Sequence, residues 1–313
     1  MVKTLGIKDF AKLFGTAIAD FDKETRTFIA KTDFRYRDLG KKERDEIILN
    51  VLKRIDSGTM KKAGKNGKCR WERGWAENLE SFLKKDYQLQ ELIPKYVRPN
   101  QPLRLYQEYV MPFSPQIELD IFTVLRLCFF KKYLKNIKVI YEFGCGTGYN
   151  LALLSKLFPE KELHGLDWAK SAVKILNLLR EKLEMKVTGH LFDMFSPDYK
   201  LEIAPGAAVI TIGGLEQLGK NHQAFMNFLL AKQPALSIHI EPILELYDEN
   251  NLVDYLAMKF HKERNYLMNF LRALRKLEKE GKVKVVKATR VPFGSLFHDG
   301  WSIVIWKPIK NKK

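Results

Sequence analysis

Cysteine is scarce in this chain of 313 residues: Cys69, Cys128 and Cys145 are three in number and no two are spaced as a CxxC pair. An odd set without that spacing gives neither a disulfide framework nor a zinc knuckle. Long apolar runs are also missing. The longest, such as Leu125 to Phe130, fall far short of the roughly 20 residues that span a bilayer. Lys3, Lys8, Asp9 and Lys12 interrupt the first turns, so no signal-peptide core forms there and a cytoplasmic protein without a membrane segment is expected. No repeat or low-complexity tract stands out. With 46% hydrophobic and 12% aromatic residues, disorder is not the default either.

Acidic residues are the minority charge. Lysine and arginine number 54 against 37 acids, a formal +17, which raises the question of nucleic acid. The surplus is spread along the chain, however, with 28 basic against 18 acidic residues in 1–136. One segment is denser: Lys61, Lys62, Lys65, Lys68, Arg70 and Arg73, with Trp71 and Trp75 interleaved. Cations beside aromatic faces suit a phosphate backbone and stacked bases. An exposed loop around Gly64 and Gly67 followed by a helix is the plainer reading of the same residues.

Residues 1–136 read as mostly helical. Apolar residues recur at helical spacing in Phe10–Ile18, Ile47–Ile55, Trp75–Leu83 and Ile117–Phe129. This region is expected to form a helical cap on a domain spanning 137–313. That domain opens with an apolar run, Ile137 to Phe143, of the kind found in buried parallel strands. The run meets Gly144, Gly146 and Gly148 and then an apolar helical pattern from Leu151. A strand, a glycine turn and a helix let backbone come close to a nucleotide-like ligand at the strand's carboxyl end.

Strand patterns follow at 163–167, 187–192, 207–212 and 235–240, the fourth and fifth separated by a helix over 221–231. A long helix is expected through Leu256 to Leu277, then a pair of strands at 283–286 and 301–306 that should close as an antiparallel hairpin. The alternation predicts an α/β fold: a doubly wound, mainly parallel seven-stranded sheet with an antiparallel C-terminal hairpin, preceded by the helical N-terminal cap.

The spacing of the glycines separates two ligand classes. A dinucleotide turn needs Gly-x-Gly-x-x-Gly, and Tyr149 stands where its third glycine would be. Glu142-Phe-Gly-Cys-Gly-Thr-Gly148 instead resembles the first motif of class I S-adenosylmethionine-dependent methyltransferases. The order of strands over about 137–308 is similar to that family's core.

The resemblance implies S-adenosylmethionine as cofactor. In that reading Gly144, Gly146 and Gly148 admit its methionine part, and Glu142 orients the loop or the ammonium group. Asp167, 19 positions after Gly148, holds the ribose hydroxyls. Asp193 accepts from the adenine amino group, with Trp168 and Met194 against the ring, and Gly213 ends the fourth strand beside the site. Cys145 sits inside the turn with a packing role.

Candidate bases at the same sheet edge are Glu216, His239 and Glu241, although each also fits a structural role. They lack an established metal-ligand spacing, so no metal is expected. Tyr255, His261, Lys262, Arg264 and Tyr266 could lie over an acidic or sugar-like acceptor, or form an ordinary polar helix face. An Asn-Pro-Pro-aromatic sequence is absent after the fourth strand. The leading expectation is therefore a methyltransferase for a small-molecule acceptor, with an oxygen or nitrogen nucleophile. An RNA methyltransferase using Lys61–Trp75, and a non-catalytic methyltransferase-like subunit, are the alternatives.

Overall fold

The structure, a computed structural model, describes residues 1–95 and 97–309. Its amino-terminal part contains β1 (Val2–Thr4), α1 (Ile7–Phe14), α2 (Lys23–Lys31), β2 (Arg35–Asp38), α3 (Lys41–Asp56), α4 (Lys68–Lys84), β3 (Leu103–Leu105), β4 (Glu108–Pro112) and α5 (Ile117–Leu134). The α/β part follows as β5 (Val139–Phe143), α6 (Tyr149–Leu157), β6 (Glu162–Asp167), α7 (Lys170–Leu183), β7 (Val187–Leu191), β8 (Ala208–Ile212), α8 (Gln223–Lys232) and β9 (Leu236–Glu241). It ends with α9 (Leu252–Arg264), α10 (Phe270–Lys279), β10 (Val283–Thr289), β11 (Phe293–Gly294) and β12 (Ser302–Pro308).

Seven strands form one sheet in the order β10-β12-β9-β8-β5-β6-β7. The five inner and far-edge strands β5 to β9 are parallel, and β12 enters antiparallel between β9 and β10. The chain winds outward from β5 through β6 to β7, then returns to lay β8 on the other side of β5. That reversal opens a crevice at the carboxyl ends of β5 and β8, where ligands bind in open α/β sheets.

Side chains along these strands alternate between two cores, as the two-residue strand period demands. Ile140, Ile210, Ile238 and Ile305 pack on one face with Leu125 of α5 and Leu176 of α7. Tyr141, Val209, Val304 and Trp306 pack on the other with Phe228 of α8 and Leu274 of α10. Each fully buried aliphatic side chain stabilises this arrangement by about 1.5–3 kcal/mol.

Two features differ from the sequence reading. The expected helix Leu256–Leu277 is two helices, because Asn265 (φ 52°) and Asn269 (φ 62°) adopt the left-handed region between them. Asparagine tolerates that conformation and commonly ends helices. The amino-terminal part is also more than helices. It carries a five-stranded sheet of order β1-β2-β4-β3-β11, whose last strand comes from the loop between β10 and β12.

Buried ions pin that loop to the cap. Arg104 of β3 is fully buried and bonds Asp299 Oδ1 at 2.8 Å, Asp254 Oδ1 at 3.0 Å and the Val253 carbonyl at 2.6 Å. Arg290 bridges the same two aspartates, reaching Asp254 Oδ2 and Asp299 Oδ2 at 2.6 Å each. Two cations against two carboxylates leave the cluster electrically balanced, which is the condition for burying charge.

Candidate active site

The glycine turn sits at the carboxyl end of β5. Gly144, Gly146 and Gly148 all have positive φ, 71°, 53° and 72°, a conformation that side-chain-bearing residues adopt only under strain. Gly144 N and Cys145 N donate to the Leu166 carbonyl at 2.7 and 3.2 Å, which holds the turn against β6. Gly148 caps α6, and a Cβ there would lie 2.5 Å from Leu176 Cδ2. Its smallness thus serves helix packing, and it is not in the cavity lining. Cys145 is buried, and burial pushes its thiol well above the ordinary range. It is a lining atom group with no thiolate character.

Glu142 lies behind the turn. It has no exposed surface, and Oε1 accepts from Asn150 Nδ2 of α6 at 2.7 Å. Its Oε2 has no hydrogen-bond partner among the described residues. Burial raises the carboxyl to about 8, opposed by the Asn150 bond and the Arg126 charge. Of the two roles considered for it, this geometry serves loop orientation and keeps it out of the cavity.

A cavity of about 300 Å³ opens in front of the turn. Gly144, Cys145, Gly146, Asp167, Trp168, Met194, Gly213 and Glu216 line it, so most of the candidate residues converge. Asp167 Oδ2 accepts from Gly146 N and Oδ1 from Ala169 N, both at 2.9 Å. A carboxylate has roughly four acceptor positions, so these bonds do not exhaust Asp167's capacity for a ligand. Burial raises Asp167 to about 6 while those two backbone bonds pull it down. Asp193 is different: Oδ1 accepts from Phe195 N at 2.9 Å in its own turn. The side chain beside it, Met194, reaches the cavity, and Asp193 does not line it.

The cap supplies the opposite wall. A Cβ on Gly146 would lie 2.8 Å from Trp75 Cζ2, and Trp71 stacks on Trp75 with centroids 5.2 Å apart. Both indoles line the cavity, and Trp71 Nε1 donates to Gln217 Oε1 at 3.1 Å. Glu72, between them, accepts from Lys170 N at 2.6 Å and Ser171 N at 3.1 Å, capping α7. An anion at a helix amino terminus is favourable, and here it docks α4 onto the α/β part. Thr147 Oγ1 donates to the Leu92 carbonyl at 2.5 Å and ties the turn to the segment after α4. The tryptophans of the basic segment therefore face inward, while its lysines stay exposed.

The three candidate bases separate. Glu216 lines the cavity and accepts from Gln217 Nε2 at 2.8 Å. Burial, reinforced by the charge of Glu241, lifts it to about 8. Glu241 is completely buried, and its oxygens accept from Gly214 N (3.1 Å), Leu215 N (2.9 Å) and Glu216 N (3.1 Å). It holds the loop that carries Glu216 and does not line the cavity. His239 is also withdrawn: it is wholly buried, with Nδ1 2.9 Å from Thr211 Oγ1 and Nε2 accepting from Trp306 Nε1 at 2.9 Å. Burial drives its pKa down to about 3. A ring with both nitrogens engaged inside the sheet cannot take a proton from a ligand in the cavity.

Other lining residues were not anticipated. Glu118 and Phe122 come from α5, and Ser295, His298 and Trp301 from the loop pinned by Asp299. Phe122 and Trp301 stack at 4.0 Å, and His298 Nδ1 lies 3.1 Å from His261 Nε2. Burial raises Glu118 to about 7. An acid between Ile117 and Ile121 on an apolar helix face was the available signal for Glu118. The 295–301 loop offered none, since its position depends on pairing with β3.

No family model matches the chain, and no curated protein matches it. Solved structures similar to it include S-adenosylmethionine-dependent methyltransferases. Magnesium protoporphyrin IX methyltransferase from Synechocystis PCC 6803 with bound S-adenosylmethionine aligns at 13% identity over 61% of this chain and 82% of that one, with a TM-score of 0.43. Geranyl diphosphate C-methyltransferase from Streptomyces coelicolor A3(2), in complex with S-adenosylhomocysteine, aligns at 9% identity over 74% and 98%, with a TM-score of 0.46. A methyltransferase from Aquifex aeolicus aligns at 18% identity over 57% and 89%, with a TM-score of 0.40.

Proposed function

We propose that the protein is an S-adenosylmethionine-dependent methyltransferase acting on a small-molecule acceptor. The observation that carries this reading is the convergence of the Gly144–Gly146 turn and Asp167 on one cavity at the reversal point of the sheet. The cofactor, when bound, supplies a sulfonium methyl group. Asp167 would accept from the ribose hydroxyls, Trp168 and Met194 would flank the adenine, and the turn's backbone would take the methionine part.

Methyl transfer is an in-line displacement. The bound cofactor would be the methyl donor, and the residues lining the cavity beyond the turn would hold the acceptor in line with it. The protein's share is alignment and, for a protonated acceptor, proton removal. Of the three candidate bases only Glu216 lines the cavity, as His298 does too. Trp71, Phe122 and Trp301 provide apolar walls that exclude water. The RNA alternative loses its aromatic component, because Trp71 and Trp75 belong to the cavity wall.

The test is calorimetric titration of the full chain with S-adenosylmethionine and, separately, NAD. Saturable binding of the former alone is expected. Binding of NAD instead, or of neither, removes the reading.

A further inference from the structure

We propose that the end of the cavity beside α9 is an oxyanion subsite, and that the methyl acceptor is a small molecule whose carboxylate or phosphate group is held by Arg264 with Tyr266. This inference rests on the methyltransferase reading above and names its substrate class.

Arg264 and Tyr266 both line the cavity. The guanidinium Nη2 donates to Tyr266 Oη at 2.7 Å, and the group lies 4.8 Å from that ring's centroid. Its Nε is buried without a hydrogen-bond partner among the described residues. None of the ion pairs among those residues includes Arg264, whereas Arg104 and Arg290 are each bracketed by Asp254 and Asp299. A partly desolvated cation with a vacant donor and no ion-pair contact among the described residues is costly unless a ligand supplies the anion. The planar fork of arginine matches a carboxylate or phosphate better than any other side chain does.

Surrounding charge has the same sign. Burial and then the nearby Arg264 charge depress the pKa of Arg70 on α4, which too is in no ion pair among the described residues. The Ala63 backbone is bonded to the end of α9, through Ala63 N to the Arg264 carbonyl at 2.7 Å and Asn265 Nδ2 to the Ala63 carbonyl at 3.2 Å. The exposed Lys61, Lys62 and Lys65 on that loop therefore stand near the end of α9. Their field draws anions and repels cations. Glu216 feels the Arg264 charge and is hydrogen-bonded by Gln217 and Tyr266, but it stands beyond ion-pair contact with Arg264.

The experiment uses the full chain saturated with S-adenosylhomocysteine. Benzoate, phenyl phosphate and benzamide are titrated while the fluorescence of the cavity tryptophans is followed. One of the two anions is expected to bind at least about tenfold more tightly than the neutral amide. Whichever anion binds more tightly identifies a carboxylate or a phosphoryl acceptor. Arg264→Gln should abolish the advantage and Arg264→Lys should keep part of it, both with unchanged S-adenosylhomocysteine affinity. Benzamide equalling both anions, no saturable anion binding, or an advantage that survives in Arg264→Gln overturns the subsite. Failure of the unmodified chain to bind S-adenosylhomocysteine at all instead overturns the underlying methyltransferase reading.

Discussion

The indole nitrogen of Trp306 donates to Nε2 of His239 across 2.9 Å, joining two strands whose residues are 67 apart in sequence. Because an indole N–H only donates, Nε2 is the acceptor and the ring proton resides on Nδ1, directed at Thr211 Oγ1. His239 is thus a neutral structural link between β9 and β12. Replacing it by alanine leaves the Trp306 indole N–H unpaired, removes one of Thr211's bonds and opens a cavity in the sheet, a loss of about 2–4 kcal/mol. Denaturant unfolding measures that loss, and affinity for S-adenosylhomocysteine should be unaltered. A variant of full stability that binds no cofactor would contradict this role.

Glu241→Ala removes the acceptor for three consecutive amides in the loop that presents Glu216. Each amide left buried and unpaired costs about 1–3 kcal/mol. Local opening is expected, with hydrogen exchange of Gly214, Leu215 and Glu216 accelerated well beyond that of β8. Unchanged protection in this loop would show that the three bonds to Glu241 are dispensable.

Gly146→Ala meets two obstacles, a positive φ and the Trp75 indole. The left-handed backbone alone costs roughly 1–2 kcal/mol for a residue with Cβ. Calorimetry should register a drop in S-adenosylmethionine affinity, and adding Trp75→Leu should recover the steric part and leave the backbone part. Equal affinities in all three proteins would place the cofactor elsewhere.

Glu142 makes stability depend on pH. Its folded pKa is raised from 4.5 to about 8, so the neutral form is the one the fold accommodates. The stabilisation is complete below about pH 4.5 and is lost as pH rises through about 8. Glu142→Gln cannot ionise and shifts stability by the same amount at every pH. Between pH 5 and pH 8.5 the native chain should lose on the order of a few kcal/mol more than this variant. Glu216 and Glu241, raised in the same direction, keep a residual slope in both proteins. Parallel curves would mean that Glu142 is already ionised in the fold.

The parts of the fold governed by local pattern were legible in the sequence. The apolar run before Gly144, the spacing to Asp167 and the recurrence of strands all act over a few tens of residues. They define the seven-stranded sheet and the side of the cavity lined by the glycine turn and Asp167. What escaped reading depends on distant partners. The helical period carries straight through Leu267, Phe270 and Leu274, so only the backbone choice of Asn265 and Asn269 reveals the break between α9 and α10. The strands of the smaller sheet are two to five residues long, too short for alternation to emerge.

The site followed the same division. Gly144, Gly146, Asp167 and Met194 were placed by motif. His239 and Glu241 share the residue type and strand position of catalytic groups, and only their partners, Trp306 and the 214–216 amides, reveal that they are internal supports. Trp71 and Trp75 stood out as an aromatic pair beside lysines. Which way they faced was decided by Gly146 and by Glu72 capping α7.

The pairing of β11 with β3 has a consequence for synthesis on the ribosome. Leu105 and Arg104 find their strand partners in Phe293 and Gly294, nearly two hundred residues later. Until that pair has been translated, one side of β3 is an unpaired edge and Arg104 lacks Asp299. The nascent cap must wait with a template for wrong pairing exposed. Long-range pairings of this kind are late events in folding, so the loop bearing His298 and Trp301 completes the cavity only after the sheet behind it has been made.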